Sequence, residues 1–176
     1  MNKSSGSTRR RVGRSLVALA ALGAVTVPAS AAGAGTAFGQ LATLPAGSAM
    51  GLQIDGVVLL HRGAGGTTGR VVLRGLEAGM TYAVHLHKEA CSFPGNPGGG
   101  HYQDVVGGLG APPNELWLAS STDPTAGVTA YPGGVGVGRG TVDWVARAEA
   151  RAVVVHFIPP GGTTAGGPKI ACADLA

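Results

Sequence analysis

The chain has 176 residues, 44% hydrophobic and 12% charged, with 32 glycines, two cysteines and a formal net charge of +4 at pH 7. Five of the 13 Lys and Arg residues lie within the first 14 positions, so the rest of the chain holds 8 against 9 Asp and Glu, a formal charge of −1. No basic cluster remains beyond those positions, which excludes nucleic acid from the expected partners.

The first 31 residues have the layout of a secretory signal peptide. A basic segment precedes a short apolar stretch, residues 16–27, which is followed by the small-residue pattern Ala29-Ser30-Ala31. We expect cleavage after Ala31 and export, by the general or the twin-arginine route, to the exterior or the cell envelope. The apolar stretch is too short for a comfortable membrane span, and no other stretch is long enough, so we expect no span.

Eight short strand-like runs, separated by turns rich in Gly, Pro and Thr, follow in the remainder of the chain. They cover residues 50–61, 69–76, 81–87, 115–122, 127–131, 140–147, 150–158 and 169–175. This pattern predicts an all-β sandwich or barrel. The roughly 145 residues after the signal suffice for one domain with a hydrophobic core. We assign residues 51–176 to that domain and residues 32–50 to an N-terminal segment, for which flexibility is one interpretation.

Two of these runs carry a further expectation. In the sixth run, Val142, Trp144 and Ala146 alternate onto one face, as in an antiparallel strand with one solvated side. The seventh run is apolar on both faces, which predicts a central, well-covered strand and makes its histidine, His156, conspicuous. The alternation of Trp117 and Trp144 with apolar neighbours favours a place in the core or on a dimer surface.

The third run places two histidines on one face. Successive side chains of a strand point to opposite faces, so Tyr82, Val84 and Leu86 share one face. His85 and His87 share the other face, roughly 7 Å apart along the strand. Two imidazoles at that spacing can converge on one metal ion. The alternative is a half-buried strand whose polar face happens to carry histidine.

Two long irregular segments, residues 88–114 and 159–168, each begin just after a strand that carries histidine. Loops of this length in a compact domain are usually functional or disordered. His101 lies inside the first loop, so four of the five histidines lie in or beside these two loops. The fifth, His61, is expected to be a surface or half-buried strand residue.

The candidate ligands are nitrogen atoms only. Imidazole suits both copper and zinc, and an all-nitrogen set without thiolate favours Cu(II). A structural zinc site would be expected to use cysteine, whereas a catalytic zinc held by three histidines is the competing interpretation.

The two cysteines, Cys91 and Cys172, are expected to form one disulfide, because an exported protein matures in an oxidising compartment. A pair of free buried thiols is the alternative. The bond would also hold the loop that follows His87.

Four segments resemble the Cu,Zn superoxide dismutases, in particular the bacterial branch with its "GGHY". They are "GLEAGMTYAVHLHKEAC", "GGGHYQ", "ARAVVVHF" and "KIACADL", in that order. The resemblance extends over residues 56–175 and implies a flattened eight-stranded Greek-key β-barrel, with the metal outside the barrel under two loops. It also implies that Cys91 and Cys172 form the disulfide within the subunit. The residues that match the four copper ligands of the family are His85, His87, His101 and His156.

The sequence departs from the family at the zinc site. In the family, the residue matching His101 bridges copper to a zinc ion that two further histidines and an aspartate complete. Here the segment 102–118 contains no histidine, and Glu115, near the position of the aspartate, is a single carboxylate that cannot hold zinc. The second loop lacks acidic residues, and Lys169 replaces an active-site arginine of the family. These departures resemble the copper-only branch, so we expect one copper per chain and no zinc.

The resemblance implies superoxide as substrate, converted to O2 and H2O2 as copper cycles between two oxidation states. In this interpretation His101 takes up a proton, Glu115 orients or proton-couples that imidazole, and Lys169 offers positive charge to the anion. The alternatives are a solvated loop carboxylate for Glu115 and a surface lysine for Lys169.

Two rival functions use the same residues differently. The first is a non-catalytic copper buffer or carrier on the same fold. The second is a structural cell-surface β-domain that holds no metal. The oligomeric state stays open.

Overall fold

Eight antiparallel strands form an all-β fold in the computed structural model, which describes Met1 and residues 34–176. Helix is limited in these residues to α1 (Pro45–Ala49) and one 3-10 turn (Pro124–Ala126). The strands are β1 (Gly35–Thr43), β2 (Asp55–Gly63), β3 (Gly66–Arg74), β4 (Thr81–His87), β5 (Val128–Thr129), β6 (Gly136–Val142), β7 (Ala152–Phe157) and β8 (Lys169–Asp174).

The strands follow the order β5-β4-β7-β8-β1-β2-β3-β6 around a nearly closed barrel. The first three strands are neighbours in sequence and in space, whereas the chain crosses between β3 and β4 and again between β6 and β7. The two ends of the sheet meet through an isolated pairing of Ala130 with Gly136. The expected eight-stranded Greek-key barrel is thus confirmed.

The barrel begins earlier in the chain than the sequence indicated. β1 pairs with β2 along most of its length, from Gly35↔Arg62 to Ala42↔Asp55, and its end pairs with β8. The boundary at residue 51 is therefore wrong, because residues 35–43 are a barrel strand. The inward positions of this strand are Ala37, Gly39 and Leu41. Two of them are small, and the large Phe38 faces outward, so the strand shows little hydrophobic alternation. The predicted signal peptide lies outside the described residues and stays a prediction.

Two predicted strands differ in the structure. The run 115–122 makes only isolated pairings, among them His85↔Trp117, so that the eighth strand is β1 rather than this segment. The run 140–147 leaves the sheet at Val142. The buried hydroxyl of Thr67 explains that exit: it donates to the carbonyl of Trp144 and accepts from the N–H of Ala146. These side-chain bonds replace a strand ladder.

The interior is filled by aliphatic side chains from all parts of the sheet, and β7 is covered on both faces as expected. Val153 and Val155 face the main core. Ala152 and Val154 lie on the other face, in a small cluster with Cys172. The main core includes Val58, Leu60, Val71, Leu73, Val84, Leu86, Leu116, Leu118 and Ile170.

The disulfide Cys91–Cys172 joins the loop after β4 to β8, as predicted from the cysteine count. The N–H of Cys91 also donates to the carboxylate of Asp174, 2.7 Å away. Both contacts hold the start of the long loop against the barrel. Within the residues that the structure describes, no helix is long and apolar enough to cross a membrane.

Replacing both Cys91 and Cys172 with alanine should lower the free energy of unfolding by about 4 kcal/mol. The bond closes a loop with a sequence separation of 81 residues, and a cross-link of that span restricts the unfolded chain by about that amount. Urea unfolding of the variant and of the unchanged protein, both metal-free, measures the difference in the free energy of unfolding. Two alkylatable thiols in protein prepared under oxidising conditions would contradict the assignment.

Candidate metal centre

β4 and β7 present three histidines on the outer side of the barrel. Tyr82, Val84 and Leu86 of β4 point into the core, so His85 and His87 point away from it, as the alternation predicted. Their ring centroids are 6.4 Å apart. β7 pairs antiparallel with β4 and brings His156 beside Ala83, next to this pair.

The first long loop supplies the fourth histidine. The loop returns alongside β4, where the N–H of Lys88 donates to the carbonyl of Gly100 and the N–H of Tyr102 donates to that of Leu86. These two bonds flank His101 and place it opposite His87. One nitrogen from each ring then lies within 4.8 Å of the others, for the four residues His85, His87, His101 and His156.

The nitrogens that face one another are closely spaced. The Nδ1 of His85 lies 3.1 Å from the Nε2 of His101, and the Nε2 atoms of His87 and His156 are 3.2 Å apart. Three of the four side chains are buried, and His101 is partly exposed. The cluster is thus closed on the barrel side and open to solvent only at its edge.

Hydrogen bonds on the far side of three rings fix their tautomers. The Nδ1–H of His87 donates to the carbonyl of Gly99, and that of His156 donates to the carbonyl of Gly167. The Nδ1–H of His101 donates to Oε2 of Glu115 over 2.7 Å. A neutral imidazole protonated at Nδ1 carries a lone pair at Nε2. Three lone pairs therefore converge, and two lone pairs 3.2 Å apart cannot bond to each other without a cation between them.

Burial keeps the inner histidines neutral. It lowers the pKa of His87 to about 2 and that of His156 to about 4, with a smaller contribution from the charge of neighbouring histidines. The pKa of His85 also falls well below its ordinary value, for the same two reasons. A metal ligand must be unprotonated. These rings are available to a metal over the whole physiological pH range.

The donor set fits an ion that prefers nitrogen ligands. Both cysteines are held in the disulfide, so no thiolate is available to the cluster. A second hydrogen bond from the far ring nitrogen, as three of these histidines make, fixes the tautomer and orientation of a metal-ligating histidine. The four histidines can therefore hold a metal ion.

Glu115 is buried and lies directly behind His101, near the position where the resemblance places an aspartate. Its Oε2 accepts from His101 and from the indole N–H of Trp117, 2.8 Å away, and its Oε1 accepts from the amide of Gln103. Burial alone would raise the pKa of Glu115, but the hydrogen bonds from His101, Trp117 and Gln103 bring that pKa below its ordinary value. The carboxylate is ionised, and both oxygens are occupied by N–H donors.

The described part of the chain brings together no other group of three or more metal-ligating side chains. Glu115 would have to give up its hydrogen bonds before it could bind an ion beside His101.

Lys169 lies near the cluster but points its ammonium group at the first loop. Its Nζ donates to the side chain of Asn96 and to the carbonyls of Pro97 and Gly99. The Gly99 carbonyl is the one that also accepts from His87. An ammonium has three donors, so a direct bond to an anion would require one of these contacts to break.

Trp117 belongs to the site, although its alternation suggested core or dimer surface. Its ring lies 4.4 Å from that of His85, at an angle of 32°, and its indole bonds to Glu115. The available signal was the spacing: residues two apart in an extended segment share one face, so Glu115 and Trp117 project together. His61 is remote from the cluster, exposed, and bonded to Thr36.

The metal-free protein should lose stability as the pH falls below about 6.5. Unfolded histidines titrate near 6.5, whereas His87 and His156 resist protonation when folded. The unfolded state then binds more protons, so the free energy of unfolding falls with pH, by at most about 1.4 kcal/mol per unit for each such histidine. Urea unfolding of chelator-treated protein between pH 7.5 and 4.5 measures this slope.

Replacing His156 with glutamine should flatten that slope, and replacing the remote His61 with glutamine should leave it unchanged. Equal slopes for the two variants would show that burial of the cluster does not set the pH dependence.

Comparison of the sequence with protein-family models gives no match, and comparison with curated proteins gives none. The four histidines and the residues bonded to them are therefore the features of this chain that point to a function.

Proposed function

We propose that this protein is an exported copper-dependent superoxide dismutase that works without zinc, similar to the copper-only branch of the Cu,Zn superoxide dismutases. The observation that carries the proposal is the convergence of four imidazoles, three of them with a lone pair fixed inward. Their order along the chain and their positions on β4, the first loop and β7 match the family's copper ligands. The all-nitrogen set favours copper over structural zinc.

Bound copper supplies one-electron redox chemistry, by which one superoxide is oxidised to O2 and another is reduced to H2O2. The chain's own residues hold and shield the ion. His87 and His156 are locked to backbone carbonyls, so their Nε2 atoms stay directed inward. Burial of these rings removes water from the barrel side and keeps them unprotonated during turnover.

His101 is the residue best placed to exchange protons with solvent. It is the most exposed ligand, with a side-chain exposure of 20%, and it lines a surface cavity of about 210 Å³ together with Lys88 and Arg147. Reduction of superoxide to H2O2 consumes protons. Glu115 holds the Nδ1–H of His101, so that any proton gained or lost by this ring is exchanged at its inward Nε2.

A non-catalytic copper carrier is the second candidate, and one observation favours it. The ammonium group of Lys169 is already bonded to three acceptors in the loop, so the cation expected to attract superoxide is engaged elsewhere. The second loop carries no acidic residue and no lysine before Lys169. Four intact ligands serve both functions, and only a rate measurement separates them.

The protein without its first 31 residues should bind one copper per chain, hold no stoichiometric zinc, and accelerate superoxide decay when loaded with copper. Elemental analysis gives the metal content, and pulse radiolysis gives the rate. The double variant His87→Ala/His156→Ala should lose both copper and activity, whereas His61→Ala should keep both. One tightly held zinc per chain would contradict the zinc-free assignment, and bound copper without acceleration would favour the carrier.

Replacing Glu115 with glutamine should leave copper bound but lower turnover by about tenfold. Mutating a residue that is hydrogen-bonded to a metal ligand typically costs at least this much. Glutamine keeps the size and can accept the Nδ1–H of His101, but it carries no negative charge. The loss should grow from pH 6 to pH 9, as protons become scarce. The matched control is Glu77→Gln, at an exposed carboxylate remote from the histidines. Equal turnover for Glu115→Gln and the unchanged protein would return Glu115 to a structural role.

A further inference from the structure

We propose that Trp117 is a positioning residue for the metal centre and acts on two ligands at once. Its indole N–H holds the carboxylate that orients His101, and its ring packs against His85, the one ligand whose second nitrogen makes no hydrogen bond of normal geometry. The inference rests on the metal centre proposed above, but it does not require that the centre turn over superoxide.

The backbone fixes Trp117 opposite His85. The N–H of Leu86 donates to the carbonyl of Leu116, and the N–H of Leu118 donates to that of Val84, over 3.1 and 2.9 Å. Residues 116–118 thus run along β4 like a short extra strand. Gly140 provides the space for this segment, since a Cβ atom there would lie 2.1 Å from the carbonyl oxygen of Trp117.

The indole N–H and His101 share one oxygen of Glu115. The donor distances to Oε2 are 2.8 Å from Trp117 and 2.7 Å from His101. The indole therefore fixes the position of the oxygen that sets the tautomer of His101. A buried carboxylate deprived of one donor moves toward the remaining donors or toward water. Either movement loosens the imidazole bonded to it.

The ring of Trp117 supports His85 by packing. Each of the other three ligands donates its second nitrogen to an acceptor. The Nε2 of His85 is buried and has no partner among the described residues. The backbone of Thr164 lies near this ring, but no hydrogen bond of normal geometry reaches its Nε2. Packing must therefore hold the orientation of the ring, and the indole lies against it with centroids 4.4 Å apart.

A purely structural role of Trp117 predicts a different result. If Trp117 only filled space, its replacement would lower the melting temperature and leave the histidines as they are. The decisive readouts must therefore report on the rings themselves. One is the solvent exchange of the His101 Nδ1–H in metal-free protein, followed by NMR on histidine labelled with nitrogen-15. The other is the dissociation constant for copper, from competition with a chelator.

Two variants separate the contributions, and a third is the matched control. Trp117→Phe keeps an aromatic ring and removes the N–H, whereas Trp117→Leu removes both. Trp144→Phe is the control, because Trp144 also donates its indole N–H, to the carbonyl of Pro113, and packs on Tyr102 without a hydrogen bond or ring contact to any of the four histidines. In Trp117→Phe we expect faster Nδ1–H exchange and a copper dissociation constant about tenfold higher. Trp117→Leu should weaken copper binding further, and the control should change neither.

Unaltered exchange and copper affinity in both Trp117 variants, with only the melting temperature changed, would overturn the proposal. If neither variant folds, replacing the indole with benzothienylalanine in a Trp144→Phe background keeps the ring shape and removes only the N–H. The NMR arm needs no metal, so it stands apart from the dismutase assay. If the copper-loaded protein is active but the Trp117 variants show normal exchange of the His101 Nδ1–H, only the role of Trp117 is rejected. If the protein is inactive but the variants show altered exchange, only the dismutase function is rejected.

Discussion

The antiparallel pairing of β4 with β7 is the constraint on which the site depends. It places His156 across from Ala83, so that one ligand of β7 comes level with the two ligands of β4. The inner faces of the same strands carry Val84, Leu86, Val153 and Val155 in the core. A one-residue slip in this register would turn apolar side chains outward and histidines into the barrel. Burial of the core thus selects the register that assembles the centre.

Glycines in the two loops beside β4 and β7 place backbone carbonyls against the histidines. Gly98 and Gly99 have φ angles of +73° and +64°, and Gly167 has +130°, a region that other residues rarely adopt. In these conformations the carbonyls of Gly99 and Gly167 reach the Nδ1–H groups of His87 and His156. Backbone acceptors carry no charge and no flexible side chain, so they fix each tautomer without competing for the metal.

The sequence predicted what repeats locally and missed what depends on long-range contacts. The alternation around residues 82–87 was sufficient to assign His85 and His87 to one face. The strand β1 was missed because two of its three inward residues are small and Phe38 faces outward. Residues 115–122 form a short strand-like run between turns, but in the structure they make only isolated pairings. Trp117 shows the same limit: the spacing predicts that it projects beside Glu115, but periodicity does not encode its packing against His85 of β4.

Under the proposed function, Glu115 takes the place behind His101 that a second metal would otherwise occupy. A zinc ion behind the ring of His101 would fix its Nδ1 as a bare nitrogen and add positive charge. The carboxylate of Glu115 has the opposite effects, because it keeps Nδ1 protonated and adds negative charge. Gln103 and Trp117 donate the other hydrogen bonds that its two oxygens accept. Under the proposed function, the Nδ1–H of His101 stays bonded to an anion, and the ring exchanges protons at Nε2. Under the proposed function, the carboxylate makes this ring a stronger base at Nε2 than one bridged to zinc would be, so both the charge and the position of Glu115 would contribute to holding the metal.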